Sequence, residues 1–195
     1  MMFAPNLTAA LRRFTKSEEG SISVEAMLIL PILVWCYLGT FVFFDAYRSQ
    51  STNLKAAYTI GDTLSRETGY VTPIYMDSLS NLQKFLVDEA NGIARLRVSV
   101  YRYQAADNTY RVNWSQTRGG AVQLTDSLLA QLRPNLPRMP NNEIAILVET
   151  WVGYHPTYSV GLQDFTFTDF VVTRPRFAAQ LCKNTNTGDA TTRTC

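Results

Sequence analysis

An uninterrupted apolar run near the N-terminus constrains this chain more than any other feature. Residues 26–44 carry no charged side chain, and Glu25 and Asp45 bound the run. At about 1.5 Å per residue, nineteen residues of helix rise roughly 28 Å, close to the thickness of a bilayer's hydrocarbon core. A buried helix of a soluble protein usually carries a polar stripe, whereas this run is apolar on all sides. The run therefore predicts a transmembrane helix over residues 21–44.

A cleaved secretory signal is the main alternative for this run, and the flanking residues argue against it. Signal peptides have shorter apolar stretches that lead into small residues at the cleavage site. Here the run ends in aromatic residues and continues into the polar sequence of residues 45–48. We therefore favour a span that stays in the mature chain.

The two flanks of the run predict its orientation. Basic residues bias it only weakly, since three precede the run and two follow it: Arg12, Arg13, Lys16, Arg48 and Lys55. The difference in size is the stronger argument, because residues 1–20 form a short leader and residues 45–195 are long enough for a domain. We expect a single-pass membrane protein with its N-terminus in the cytoplasm and residues 45–195 outside it.

A carboxylate lies where the membrane helix would begin. A charge in the middle of a membrane helix costs about 2.5–3.5 kcal/mol, and less near the interface. In one interpretation Glu25 lies among the headgroups, where the helix dipole favours a negative charge. In the other, the chain is cleaved after Gly20. Ser21 then becomes the new N-terminus, and Glu25, four residues on, can neutralise that amine or the amine of a neighbouring subunit.

These residues resemble a known family. Gly20, Glu25 and the Glu-x5-Pro spacing to Pro31 are similar to the TadE/TadF/TadG pseudopilins of tight-adherence (Flp) pilus systems. Residues 56–66 and the later Arg174–Arg176 segment are also similar to members of this group. The specific part of the resemblance covers roughly a quarter of the chain, and the remainder matches only in general organisation.

The resemblance implies how the chain is processed and what it contacts. A prepilin peptidase would cut between Gly20 and Ser21, Glu25 would dock against another subunit, and Pro31 would kink the helix. Partners would be the membrane, the prepilin peptidase, other pilins and pseudopilins, and pilus assembly proteins. The membrane would be the bacterial inner membrane, and the C-terminal domain would lie in the periplasm. A surface pilus is a further destination for such a protein.

The rest of the chain predicts an exported domain that begins with a helix. Residues 45–68 continue the helical pattern, and the residues expected on its inward face are Tyr47, Leu54, Ala57, Tyr58, Gly61 and Leu64. A second helix is expected over residues 77–90, capped by Asp77 and Ser78. Its expected inward residues are Leu79, Leu82, Phe85 and Leu86.

Strands follow these helices. Residues 95–103 and 110–115 alternate with period two and predict an antiparallel hairpin. Two further strands are predicted over 143–152 and 165–173, and a short helix over 125–133. The pattern predicts an α+β fold, with a long N-terminal helix and a small pilin-like domain that has a mostly antiparallel sheet of about four strands.

One face of the predicted hairpin interleaves basic and aromatic residues: Arg95, Arg97, Tyr101 and Tyr103, with Arg111 and Trp114 nearby. We interpret it first as a solvated outer face of the sheet and second as a subunit contact. Stacking of single-stranded nucleic acid is a weaker alternative. The formal net charge of +2 does not favour a dedicated nucleic-acid binder.

Two cysteines enclose a polar tail, residues 182–195, that would not order itself. In an oxidising periplasm we favour a disulfide between Cys182 and Cys195, the alternative being two free thiols. Cys36 lies in the apolar run and is interpreted as a small apolar filler. The predicted organisation is a leader over 1–20, a span over 21–44, a periplasmic domain over 45–181 that opens with the amphipathic helix 45–68, and a disulfide-closed tail over 182–195.

No pattern in the sequence indicates an enzyme. His155 is the only histidine, and no phosphate-binding loop, dinucleotide fingerprint or nucleophile elbow occurs. We interpret Glu143 and Glu149 as strand-edge charges. The sequence therefore predicts no catalytic residue, no cofactor and no metal site. It favours a minor pseudopilin or assembly component of a tight-adherence pilus, the alternative being an uncleaved single-pass envelope adaptor of a secretion or pilus machine.

Overall fold

A computed structural model describes residues 21–88, 94–186 and 188–195. The described residues form two compact units. The first holds residues 21–44 together with 157–162, and the second holds most of the rest. Gly20, the residue before the predicted cut, lies outside the described residues.

One helix of 46 residues opens the described chain. This helix, α1 (Ser21–Arg66), continues through Pro31 and ends slightly before the predicted end at residue 68. The side chain of Glu67 accounts for the end, because its Oε1 accepts the backbone N–H groups of Thr68 at 3.0 Å and Gly69 at 2.8 Å. These hydrogen bonds satisfy the two backbone amides outside the helix, so the helix does not continue past Arg66.

A four-stranded antiparallel sheet forms the centre of the second unit. Its strands are β2 (Ala94–Gln104), β3 (Thr109–Arg118), β4 (Ile144–Tyr154) and β5 (Phe165–Thr173). They are ordered β3-β2-β4-β5, and every neighbouring pair is antiparallel. The predicted α+β fold is confirmed, with the long apolar helix preceding the sheet.

A second, smaller sheet holds the C-terminal tail. It joins β1 (Tyr70–Val71), β6 (Cys182–Asn184) and β7 (Arg193–Thr194), in the order β1-β6-β7. Residues of the polar tail, which the sequence does not predict to order by themselves, take part in this sheet. The buried side chain of Asn184 accepts the backbone N–H of Asn186 at 3.0 Å and the hydroxyl of Thr192 at 2.6 Å, and so ties the loop together.

Helix α2 (Pro73–Leu86) begins earlier than predicted. Thr72, and not Asp77 or Ser78, caps it, and Pro73 occupies the first turn, where its missing N–H costs no hydrogen bond. The buried face of this helix also differs from the predicted one. Met76, Leu79, Ser80 and Gln83 are buried, whereas Phe85 is 82% exposed. Helix α3 (Asp126–Leu132) is capped by Thr125.

Apolar residues pack on both faces of the main sheet. On one face, α1 and α2 contribute Ile60, Leu64, Met76 and Leu79 to a core with Leu96, Val98 and Val100. On the other face, Leu124, Leu129, Leu136 and Met139 pack over Tyr101 and Leu147. The sheet is therefore the middle layer of three.

This second core corrects two predictions. The basic and aromatic face of the hairpin is solvated only in part: Arg97, Ser99 and Tyr101 are buried beneath the chain that follows β3, whereas Arg95 and Arg111 are exposed. The expected inward face of α1 is right for Ala57, Gly61 and Leu64 only. The remaining three expected residues point outward, with exposed fractions of 70% for Tyr47, 36% for Leu54 and 60% for Tyr58.

Candidate membrane anchor and the end of the domain next to it

The first half of α1 presents apolar side chains outward. Met27 is 79% exposed, Tyr37 72% and Phe44 72%. An 18-residue window of this helix has a mean hydropathy of 2.2, and only 6% of the window is buried inside the structure. A helix this apolar in the core of a soluble protein would be covered by its neighbours. By length and composition, α1 can cross a membrane.

The predicted processing and docking residues lie at the start of α1. Ser21 is the first residue of the helix, and Glu25 is exposed one turn later. Among the described residues no basic side chain pairs with Glu25. Pro31 lies inside the helix, where it removes the hydrogen bond that an N–H would give to the carbonyl four residues earlier. The roles of these residues in cutting, docking and kinking stay predictions.

A short part of the first unit follows β4. Residues 157–162 group with the apolar half of α1, and the ring of Tyr158 lies edge-on to that of Phe41, with 6.4 Å between the ring centroids. Val160 in this segment is buried. The apolar helix is therefore partly covered by its own chain at this point.

A charged pair lies in the centre of the main sheet. Arg97 on β2 faces Glu149 on β4, and the guanidinium donates two hydrogen bonds to the carboxylate. Arg97 also donates to the carbonyl of Val122 at 2.9 Å and lies 5.1 Å from the ring centroid of Trp151. Both side chains are buried, so the interpretation of Glu149 as a strand-edge charge is wrong. With its bonding groups occupied inside the fold, the pair serves the sheet rather than a ligand.

An open polar cleft of about 410 Å³ lies within the second unit. One wall is the part of α1 that follows the apolar run, with Asp45, Arg48, Ser49 and Thr52. The other walls are the end of α2 with the residues just after it, including Asp88, and the end of β4. The Tyr154 hydroxyl on β4 donates to Asp45 Oδ2 at 3.0 Å. Burial, followed by this hydrogen bond, raises the pKa of Tyr154 to about 12, so the hydroxyl is a donor at neutral pH.

His155 lies at the mouth of this cleft. Its Nδ1 is 2.8 Å from Asp164 Oδ2, and both side chains are mostly exposed. Among the described residues, no three His, Cys, Asp or Glu side chains come together in a group that could hold a metal ion. The cleft lining offers charged side chains and hydrogen-bonding groups to a ligand.

Aromatic rings cluster beside this cleft, where β4 ends and β5 begins. The ring centroids of Tyr154 and Phe165 are 5.4 Å apart, and those of Phe165 and Phe167 are 4.7 Å apart. Phe165 is 38% exposed. The same end of the sheet thus carries a polar cleft and a partly exposed aromatic surface.

The tail is closed by a disulfide between Cys182 and Cys195, as predicted. Its Cα atoms are 4.2 Å apart, and the sequence separation is 13 residues. The indole N–H of Trp114 on β3 donates to the carbonyl of Leu181 at 2.9 Å and holds the start of the tail against the main sheet. A disulfide is typical of oxidising compartments. Cys36 is a free thiol on the exposed surface of α1.

Comparison with known proteins gives no match to a family model, to a curated protein or to a solved structure. The class that the described geometry defines is an α+β domain led by a helix that can span a membrane.

No local sequence pattern predicts the cleft. Charged residues directly after the apolar run were the available signal, because Asp45 and Arg48 lie on adjacent turns of the same helix. The opposite walls come from α2 and β4, which are distant in the sequence. Their approach depends on how the helices pack on the sheet, which no local pattern encodes.

Proposed function

We propose that this protein is a membrane-anchored minor pseudopilin, or assembly component, of a tight-adherence pilus machine. The observation that carries the proposal is helix α1 itself. Its first half is apolar and exposed, and its second half packs into the core of the α+β domain. One half holds the protein in a bilayer, and the other half belongs to the folded domain. The action is mechanical, through anchoring and protein–protein contacts.

The start of the helix supports this proposal. In it, a prepilin peptidase removes the leader after Gly20, and Ser21 becomes the N-terminus. Glu25 is exposed on the anchor with no basic partner among the described residues, so its carboxylate is available to the amine of a neighbouring subunit. A bare carboxylate near the hydrocarbon is costly, and pairing with an amine offsets that cost.

The tail supports a periplasmic domain. The disulfide joins the ends of a polar loop, and the periplasm is a compartment where such a bond persists. In the chain-entropy model a loop of this size contributes about 3 kcal/mol of stability. An exported domain gains that contribution, whereas a cytoplasmic one would lose it to reduction.

A topology experiment tests the orientation. A reporter that is active only in the periplasm, fused after Cys195, should be active, and the same reporter fused after Lys16 should be inactive. A reporter active only in the cytoplasm should give the opposite pair of results. Activity of the cytoplasmic reporter after Cys195 would reject both the orientation and the pseudopilin proposal.

The alternative function is an uncleaved single-pass envelope adaptor. Glu18 and Glu19 favour it, because they make the leader acidic just before the predicted cut, where the family is basic. Both functions share the topology, and they differ in the N-terminus of the protein found in the membrane. A protein that keeps Met1 in a strain with an active prepilin peptidase would favour the adaptor.

A further inference from the structure

The polar cleft of the second unit lies at a defined distance from the apolar run. Asp45, on its wall, is the first residue after residues 26–44, and Ser49 follows about 6 Å further along the helix. The headgroup layer on each side of a bilayer is about 5–8 Å thick. If α1 spans a membrane as the proposed function requires, this wall therefore lies in the headgroup layer.

The cleft carries charges of both signs that its own chain does not fully neutralise. Among the described residues, Arg48 and Asp88 have no ion-pair partner, and Asp45 is bonded to the neutral hydroxyl of Tyr154. A guanidinium binds a phosphate through paired hydrogen bonds, and a carboxylate accepts hydrogen bonds from an ammonium. The hydroxyls of Ser49 and Thr52 add neutral donors on the same wall.

One aromatic side chain beside the cleft and another on α1, just after the apolar run, fit the same environment. Tyr47 is 70% exposed on α1, and Phe165 is 38% exposed at the start of β5. Aromatic rings are enriched at the boundary between lipid and water. Nothing in the folded domain explains why these two aromatic side chains are exposed, whereas contact with a lipid surface explains it.

From these observations we infer that the cleft binds the headgroup of a phospholipid that carries both a phosphate and a primary amine, such as phosphatidylethanolamine. Arg48 binds the phosphate, while Asp45 and Asp88 accept from the ammonium. The acyl chains of this lipid stay in the hydrocarbon of the bilayer. This inference rests on the proposed membrane anchoring and adds a lipid partner to it.

Native mass spectrometry of the full-length chain in detergent tests the inference. The protein is mixed with equimolar phosphatidylethanolamine, phosphatidylcholine and phosphatidylglycerol, and the retained lipid is measured. We expect phosphatidylethanolamine to exceed the other two by about fivefold, because trimethylation removes the N–H donors and glycerol has no cation. Arg48→Gln should lower the retention of all three lipids, and Asp45→Asn should remove the preference for the amine.

Matched control variants are Lys55→Gln and Asp107→Asn, which remove exposed charges outside the cleft. Both should retain lipid as the wild type does, and circular dichroism verifies that each variant is folded. Equal retention of the three lipids by the wild type would overturn the inference. So would equal retention by Arg48→Gln and Lys55→Gln, since Arg48 is exposed and its replacement leaves the fold intact.

A soluble phosphate ester could offer the same chemistry as the lipid. Glycerophosphoethanolamine should bind at least about tenfold more weakly, because it has no acyl chains to bury. Equal affinity would assign the cleft to a soluble ligand and overturn the lipid proposal.

Alkaline extraction of membranes separates the proposed membrane anchoring from the proposed headgroup binding. Release of the chain rejects the anchor, whereas retention of the chain without lipid selectivity rejects only the headgroup site.

Discussion

Arg97 and Glu149 form a buried ion pair at the centre of the main sheet. They lie opposite each other on the two middle strands, and both are buried. Taking two charges out of water is costly, and their mutual attraction together with the bond to Val122 offsets the cost. If one member is removed, the other is left as an unpaired buried charge.

We predict that Arg97→Met lowers the free energy of unfolding by about 3–5 kcal/mol. The double variant Arg97→Met/Glu149→Leu should recover most of this loss, since it buries no charge. Chemical unfolding of the full chain in detergent, followed by circular dichroism, measures both. A double variant that is less stable than Arg97→Met would contradict this prediction. It would show that each charge stabilises the sheet independently of its pairing with the other.

Two adjacent glycines after β3 offer a matched comparison. Both have positive φ, +73° for Gly119 and +79° for Gly120. A Cβ on Gly119 would lie 2.3 Å from the carbonyl oxygen of Ala94, whereas one on Gly120 would have no atom within 4 Å. Gly120→Ala should cost about 1 kcal/mol for the backbone conformation alone, and Gly119→Ala should cost more because β2 must also shift. Equal melting temperatures for the two variants would contradict this.

The sequence predicted which residues lie on the apolar side of the sheet, but it did not predict that the opposite side is also covered. Alternation placed Leu96, Val98 and Val100 together, and all three are fully buried. The same alternation put Arg97 and Tyr101 in solvent, since a strand cannot show whether its second face is covered. That cover comes from Leu129 and its neighbours, more than twenty residues further along the chain.

Helix α3 is fastened to the edge strand β3 by one carboxylate. Asp126 accepts the backbone N–H of Val112 at 2.7 Å and pairs with Arg111 at 3.1 Å. The hydrogen bond from Val112, supported by Arg111, holds the pKa of Asp126 below its ordinary range. The ionised carboxylate therefore stabilises the fold above the pKa of the unfolded chain, and this contribution is lost as the pH falls through the folded pKa.

We predict that Asp126→Asn lowers the free energy of unfolding by about 0.5–1 kcal/mol at pH 7, a modest value because the side chain is exposed to solvent. The difference from the wild type should stay constant above about pH 5 and shrink below about pH 4, because the carboxyl of the unfolded chain takes up its proton first and that of the folded chain follows at lower pH. Asp107→Asn, at an exposed turn, is the control and should show no such trend. Melting temperatures between pH 3 and pH 7 measure the effect, and a difference that grows on acidification would contradict it.

Element by element, long periodic segments were predictable and short ones were not. The four main strands were expected because each alternates or is strongly apolar over many residues. By contrast β1, β6 and β7 have two or three residues each and are ordered by the disulfide, by Asn184 and by the Trp114 hydrogen bond. These constraints act across the fold, so the local sequence did not show them.

On the scale of the whole molecule, α1 combines two kinds of environment in one element. Its first half is apolar and exposed, and its second half contributes Ala57, Ile60 and Leu64 to a folded domain. The length and hydropathy of the run made the first half predictable. The polar cleft was not predictable, because its walls meet only after α2 and β4 have packed.

The most direct test of the proposed function is the intact mass of the membrane-extracted protein, from strains with and without an active prepilin peptidase. We predict that the wild type begins at Ser21 when the peptidase is active and at Met1 when it is absent. Gly20→Leu should keep Met1 in both strains because its side chain is too bulky for the cut, whereas Glu25→Ala should still be cut but fail to assemble. Recovery of wild-type protein with Met1 from the strain with the active peptidase would contradict the pseudopilin account.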